Sequence, residues 1–201
     1  ARIEEIVNRL GIACNFRRLD AFLFPAMGMK QKEAQEQREK EYEAARKAGA
    51  AVEKVQGVPL EGFADAPVLR YPGQGTFHPL RYLKALTAAI LENGGLVFAE
   101  TPVVELEERE GTVRVAIEEG GTIEAACAVV ATNSPINNVV ALHSKMAPYR
   151  TYAMAFTLPQ KTLPDALYWD MDDPYHYVRL NPGPGTADYL IAGGADHKTG
   201  K

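Results

Sequence analysis

The stretch "DPYHYVRLNPG", residues 173–183, concentrates side chains able to do chemistry. Read as a strand, it puts Tyr175, Tyr177 and Arg179 on one face and His176, Val178 and Leu180 on the other, because successive side chains point to opposite sides. A guanidinium on such a face can clamp a carboxylate through two parallel hydrogen bonds, with the phenol rings as an aromatic wall. The plainer alternative is a surface arginine on an edge strand. His176 and His197 are candidate general bases whose ordinary structural roles are the stronger reading. "DMDDP" (170–174) suggests a cation site, but consecutive acids ahead of Pro174 usually make a turn. Trp169 is assigned to the hydrophobic core.

A second stretch, "CAVVATNSP" (127–135), reads as a buried strand running into Thr132, Asn133 and Ser134. Nucleotide-binding sheets often end this way at a strand's carboxyl end, yet no G-x-G-x-x-G follows any strand here. The two cysteines, Cys14 and Cys127, belong to no C-x-x-C or Cys/His cluster, so both are read as buried, reduced thiols and no metal is expected.

With 201 residues and 46% hydrophobic content, the chain can bury one good core or two small ones. A net charge of -4 offers no excess of Lys and Arg to displace counterions, which argues against nucleic acid and anionic lipid as partners. No apolar run approaches the roughly 18 residues of a membrane helix, and no signal peptide is visible. A cytoplasmic location follows by default.

The chain opens without methionine in an amphipathic helix, with Ile3, Ile6, Val7 and Leu10 on one face and Gly11 as C-cap. It stops at Lys201, just after a strand from Tyr189 to Ala192, and the expectation is a fragment of something longer. Residues 14–25 read as one or two strands, and 31–48 as a charged, solvated helix. The Pro/Gly-punctuated run from Val52 to Gly75 reads as a connection with short extended pieces. Next come a helix with Pro79 in its first turn and an apolar stripe of Leu80, Leu83, Leu86, Thr87, Ile90 and Leu91, then a buried strand, "LVFAET" (96–101). Gly111 and Gly120-Gly121 mark the turns of an antiparallel meander whose last strand continues into a parallel sheet.

Taken in this order, the residues resemble a known family. "GQGTFHPLRYLKALTAAILENGG", "ETPVVELEE", "AACAVVATNSP", and "YHYVRLNPG" followed by "YLIAGGADHKTGK" are similar to the middle of the FAD-dependent oxidoreductases of the D-amino-acid oxidase and glycine oxidase group. "DPYHYVRL" and "GGADHKTG" resemble the subgroup that carries a C-terminal Rieske domain. The resemblance covers nearly the whole chain.

It implies an α+β fragment of a two-domain flavoprotein: residues 1–74 and 146–201 from the substrate domain, and 75–145 from the second part of the FAD domain. The intact enzyme would oxidise a small amine or amino acid by hydride transfer to FAD, a step that needs a neutral amine more than a protein base. Arg179, Tyr177 and Tyr175 would bind substrate, Val103 would meet the adenine through its main chain, and Thr132, Asn133 and Ser134 would lie near the cofactor. His78 reads as a helix-entry residue or a contact near the cofactor edge.

The departures are specific. Without G-x-G-x-x-G, most FAD contacts must come from other segments, and the isolated piece is expected to bind FAD weakly and to be inactive. Without C-x-H and C-x-x-H pairs, a [2Fe-2S] centre belongs only to a C-terminal domain outside these residues. Asn133 stands where the family has a flexible Gly, a substitution a left-handed turn tolerates. Two alternatives stay open: a flavoprotein dehydrogenase of a hydroxy acid or polyol phosphate, and a non-enzymatic assembly module using the charged helix at 31–48. Self-association into a homo-oligomer is compatible with either.

Overall fold

The computed structural model describes residues 2–132 and 147–199. These divide into two compact units, 1–83 with 149–201, and 84–148.

The first unit is built on a seven-stranded sheet. Its strands are β1 (Arg17–Phe24), β2 (Glu53–Gln56), β3 (Pro67–Thr76), β7 (Tyr149–Pro159), β8 (Leu167–Asp170), β9 (His176–Pro182) and β10 (Ala187–Lys198), in the order β2-β3-β1-β8-β9-β10-β7. All neighbours pair antiparallel except β1 with β8. The region read as a connection therefore holds a ten-residue strand, β3. Pro72 and Gly73 disguise it in sequence because a bulge there, between Tyr71 and Gln74, spares the ladder the N–H that proline lacks.

Strand alternation sorts this core into two layers. On one side Phe22, Phe24, Val68 and Tyr168 meet Val58, Phe63 and Ala166, with the Phe22 and Tyr168 rings stacked at 5.7 Å. On the other, Leu23, Leu69 and Met171 meet Tyr42, Tyr71 and Trp169, which confirms Trp169 as a core residue. Tyr42 belongs to α2 (Gln31–Lys47), the expected charged helix, and Lys54 of β2 lies 4.2 Å from the centre of its ring. Two ion pairs from Arg70, to Asp20 and Glu53 at 2.8 Å each, tie β3 to β1 and β2. Helix α1 (Arg2–Leu10) ends at Gly11, whose φ of 62° allows the Ile12 N–H to reach the Val7 carbonyl at 3.0 Å. Val7, Ile12 and Cys14 are buried below it.

Helix α3 (Pro79–Glu92) is entered through His78, whose Nδ1 accepts the Arg81 N–H at 3.4 Å, a helix-entry role. The expected apolar stripe is not covered: Leu80, Leu83, Ile90 and Leu91 are exposed, and Tyr82 is the buried residue.

The second unit contains a three-stranded meander, β4 (Val103–Arg109), β5 (Thr112–Ile117) and β6 (Thr122–Ala125), turning at Gly111 and at Gly120-Gly121 as expected. Two expected strands do not form. Residues 96–101 and 127–132 have no strand pairing, and Leu96, Val97, Phe98, Val129 and Val130 are exposed. The last strand of the meander stops at Ala125 rather than continuing into a parallel sheet, and Cys127, read as buried, is exposed. A strand pairs only where a neighbour offers its backbone groups, and no neighbour for these segments lies among the described residues.

Candidate active site

The face of the first sheet that carries Tyr71 and Trp169 also carries the candidate substrate residues. Register aligns Trp169 with Tyr177 and Leu167 with Arg179 across β8 and β9, then Tyr177 with Gly193 and Arg179 with Ile191 across β10. It continues from Gly193 to Ala153 and from Ile191 to Ala155 on β7. Directly paired residues share a face, so the half-buried Arg179 stands between Leu167 and Ile191, and the half-buried Tyr177 between Trp169 and Gly193. β9 lies inside the sheet, between β8 and β10, so the reading of Arg179 as a surface residue on an edge strand does not hold.

Arg179 Nη1 donates to Thr76 Oγ1 at a long 3.4 Å, and Thr76 is buried. Among the described residues no carboxylate lies within 4 Å of this guanidinium. A half-buried charge whose donors are mostly uncommitted is suited to an external anion. The Tyr175 and Tyr177 rings are 6.3 Å apart and tilted by 38°, a continuous aromatic wall. Glycine beneath the wall is required: a Cβ on Gly193 would lie 2.4 Å from the Tyr177 hydroxyl.

The acids ahead of Pro174 behave as a turn. Asp170 Oδ1 accepts the backbone N–H of His176 at 2.8 Å and Asp172 at 3.2 Å, while its Oδ2 accepts His176 Nδ1 at 2.9 Å. His176 thereby closes the loop from the face opposite Arg179. Asp170, Asp172 and His176 bring ligand-type atoms within 4.8 Å of one another, but their bonds to the turn account for the arrangement. His197 stacks on Tyr152 at 5.0 Å and donates from Nδ1 to the Ala195 carbonyl at 3.0 Å. Both histidines thus have structural roles.

A cavity of about 240 Å³ adjoins the wall, lined by Tyr149, Arg150, Thr151, Tyr175, Tyr177 and Asp196. A larger one, about 720 Å³, lies between the start of α2 and the 61–67 loop, with no basic side chain in its lining. Sequence reading missed Thr76, Gly193 and Asp196. The "GGAD" run (193–196) was a visible signal for the last two, whereas nothing local marks Thr76.

The candidate cofactor residues belong to the second unit. Val103 opens β4, the outer strand of the meander, and pairs with Ile117, with a register slip between Val103 and Glu105. Thr132 is exposed; Asn133 and Ser134 lie outside the described residues.

A seven-stranded mixed sheet carrying Arg179 beside an aromatic wall, together with a separate three-stranded meander unit, defines an α+β architecture. The family model described as "FAD dependent oxidoreductase" (DAO) matches residues 1–201, and the chain belongs to that family. The putative Rieske 2Fe-2S iron-sulfur protein YhfW of Bacillus subtilis (strain 168) is 28% identical over 99% of this chain and 38% of its own length. The fold is similar to glycine oxidase from Geobacillus kaustophilus (17% identity, TM-score 0.68, 98% of this chain and 52% of that one). It is equally similar to L-proline dehydrogenase from P. horikoshii (17% identity, TM-score 0.70, 99% of this chain and 55% of that one). The chain thus spans about half of these solved structures and less of the curated relative. No helix among the described residues is long and apolar enough to cross a membrane.

Proposed function

We propose that the intact protein oxidises a small amine or amino acid with FAD as acceptor, and that the first unit is its substrate domain and the second a part of its FAD domain. The observation that carries this reading is Arg179, a half-buried guanidinium on an interior strand with a hydroxyl partner and, among the described residues, no carboxylate within 4 Å. It would hold the substrate carboxylate, with Tyr177 and Tyr175 walling the carbon chain. Family membership and the amino-acid oxidases among the structural relatives support the same chemistry.

The fit to FAD is partial. β4 is an edge strand, so outward main-chain groups near Val103 are open to an adenine ring, and Thr132 would lie toward the cofactor with Asn133 and Ser134. No glycine-rich loop in the sequence can cradle the pyrophosphate, so the remaining contacts would come from other segments of the intact enzyme. When bound, FAD supplies the redox step by taking up the hydride from the carbon that bears the nitrogen. The iron-sulfur name of the curated relative suggests a cluster domain elsewhere in the intact protein, since this chain lacks its ligand pairs.

The test is a substrate screen on the FAD-loaded full-length protein, following flavin bleaching. Arg179→Ala is expected to lower kcat/KM for carboxylate-bearing amines about 100-fold, the loss of a charge-assisted bidentate contact. A full-length protein that purifies colourless and cannot be reconstituted with FAD overturns the reading. Oxidation confined to hydroxy acids or polyol phosphates would transfer the Arg179 clamp to a dehydrogenase of alcohols.

A further inference from the structure

The small cavity beside the aromatic wall has a chemical sign of its own. β10 slips register against β7 between Gly194 and His197, and the extra residues include Ala195 at a φ of 55°, unusual for a residue other than glycine. The Ala195 N–H donates to the Tyr175 carbonyl at 3.2 Å, which fixes this bulge against the residue just before β9. Bulges re-aim side chains, and this one directs Asp196 into the space bounded by Tyr175 and Tyr177.

Asp196 lines this cavity, and its Oδ1 is buried without a hydrogen-bond partner. Two neighbouring polar groups are committed elsewhere: Thr151 Oγ1 donates to the Gly194 carbonyl at 3.0 Å, and His197 Nδ1 to that of Ala195 at 3.0 Å. Arg150 lines the same cavity but is exposed on β7 and forms no ion pair with Asp196 at 4 Å or less. A buried carboxylate oxygen is costly unless a donor meets it, and two phenol rings beside it favour a cation.

We propose that this pocket receives a cationic group, ammonium or guanidinium, at the far end of the substrate, so that the preferred substrates are basic amino acids. This rests on the amine-oxidation reading. Tyr175, whose carbonyl anchors the bulge next to Asp196, stands four residues, about 13 Å, from Arg179, a distance that an extended lysine-sized chain spans with a hydrogen bond at each end. The carboxylate then meets Arg179, the alkyl chain crosses Tyr177, and the distal cation meets Asp196 between the two rings.

The experiment uses the FAD-loaded full-length protein and paired probes that differ only in the distal charge: lysine against norleucine in both enantiomers, and cadaverine against pentylamine. Binding is read from perturbation of the flavin absorbance and turnover from kcat/KM. The expected preference for the charged member of a pair is about tenfold or more, the scale of one desolvated charge-assisted contact. Asp196→Asn should bring the ratio toward one, and Asp196→Glu should retain most of it, a pattern that a merely structural role would not give. Parity between charged and neutral probes in the unsubstituted protein, or an Asn variant that keeps the preference, overturns the pocket assignment while leaving amine oxidation standing. Silence from all four probe types overturns the pocket assignment, and the amine reading falls with it only when the wider substrate screen is silent as well.

Discussion

Two regions of one chain treat their apolar residues in opposite ways. Every buried hydrophobic residue among the described ones belongs to the unit formed by 1–83 and 149–201, where Val68, Leu69 and Tyr168 lose essentially all exposure. In 84–148, Phe98 and Val129 keep 64% and 88% of theirs. Composition does not separate them, since "LVFAE" and "CAVVA" are as apolar as "DAFLF". What differs is the supply of partners: β1 finds β3 and β8 on its flanks, and the two apolar runs find none among the described residues. An apolar run becomes a buried strand only when its backbone groups and its faces are both answered.

The largest effect that would break this comparison lies in the first core. Leu69→Ala removes a fully buried side chain packed on Leu23 and Met171 and is expected to cost about 2–5 kcal/mol, whereas Phe98→Ser should stay within about 0.5 kcal/mol. Urea titration of the two variants of this chain checks it; equal losses would mean that the exposed run is packed after all. Amide hydrogen exchange sharpens the same point region by region. The slowest amides should be those of β1, β3 and β8, with 96–98 and 127–132 exchanging fastest and the meander between.

Glycines give an intermediate effect. Gly193→Ala would drive a Cβ to 2.4 Å from the Tyr177 ring and 2.8 Å from the Tyr152 carbonyl, an overpacking cost of about 1–3 kcal/mol. Gly111→Ala, in the meander turn, meets nothing within 4 Å and carries only the left-handed backbone cost, about 1 kcal/mol at its φ of 78°. Thermal unfolding ranks the two, and near-ultraviolet dichroism should change for the first alone, because only there does an aromatic ring move.

The sequence was legible where one local signal decides the outcome. Helix α2 ends within one residue of the expected boundary because Ala, Glu, Gln, Lys and Arg, interrupted only by Tyr42, run from Gln31 until Gly49. The β4–β5 turn is set by Gly111, and the shared face of Tyr177 and Arg179 follows from alternation along β9. What was not legible depends on distant partners. β3 was hidden by Pro72 and Gly73, whose tolerance needs a bulge opposite β1. The stripe on α3 and the runs at 96–98 and 127–131 promise burial that only another element can supply. At the candidate site, Arg179 was visible in its strand, but Thr76 reaches it from 103 residues away, and Asp196 is aimed by a bulge that the letters "GGAD" do not spell out.

The smallest expected effects are on pH dependence, and they differ in direction between Tyr168 in the first unit and Glu107 in the second. Burial, reinforced by the Asp165 carboxylate, pushes the Tyr168 phenol from an ordinary value near 10 up to about 12. Its hydroxyl donates to the Pro164 carbonyl at 2.9 Å, so the neutral form is the one the fold favours. A pKa raised on folding gives stability that is complete below pH 10 and is lost as pH rises toward 12. In the meander, by contrast, the hydrogen bond from Arg109, at 2.9 Å, holds the exposed Glu107 below the usual carboxylate range. A lowered pKa gives stability that is present above the unfolded value and fades as pH falls through the folded one, and salt screens it because the pair is exposed. Denaturant midpoints should therefore decline on the alkaline side through Tyr168 and slightly on the acid side through Glu107. Tyr168→Phe should flatten the alkaline limb alone, and Glu107→Gln the acid limb alone, the latter only at low salt. An alkaline limb unchanged in Tyr168→Phe would show that the phenol is not the group linking that pH range to the core.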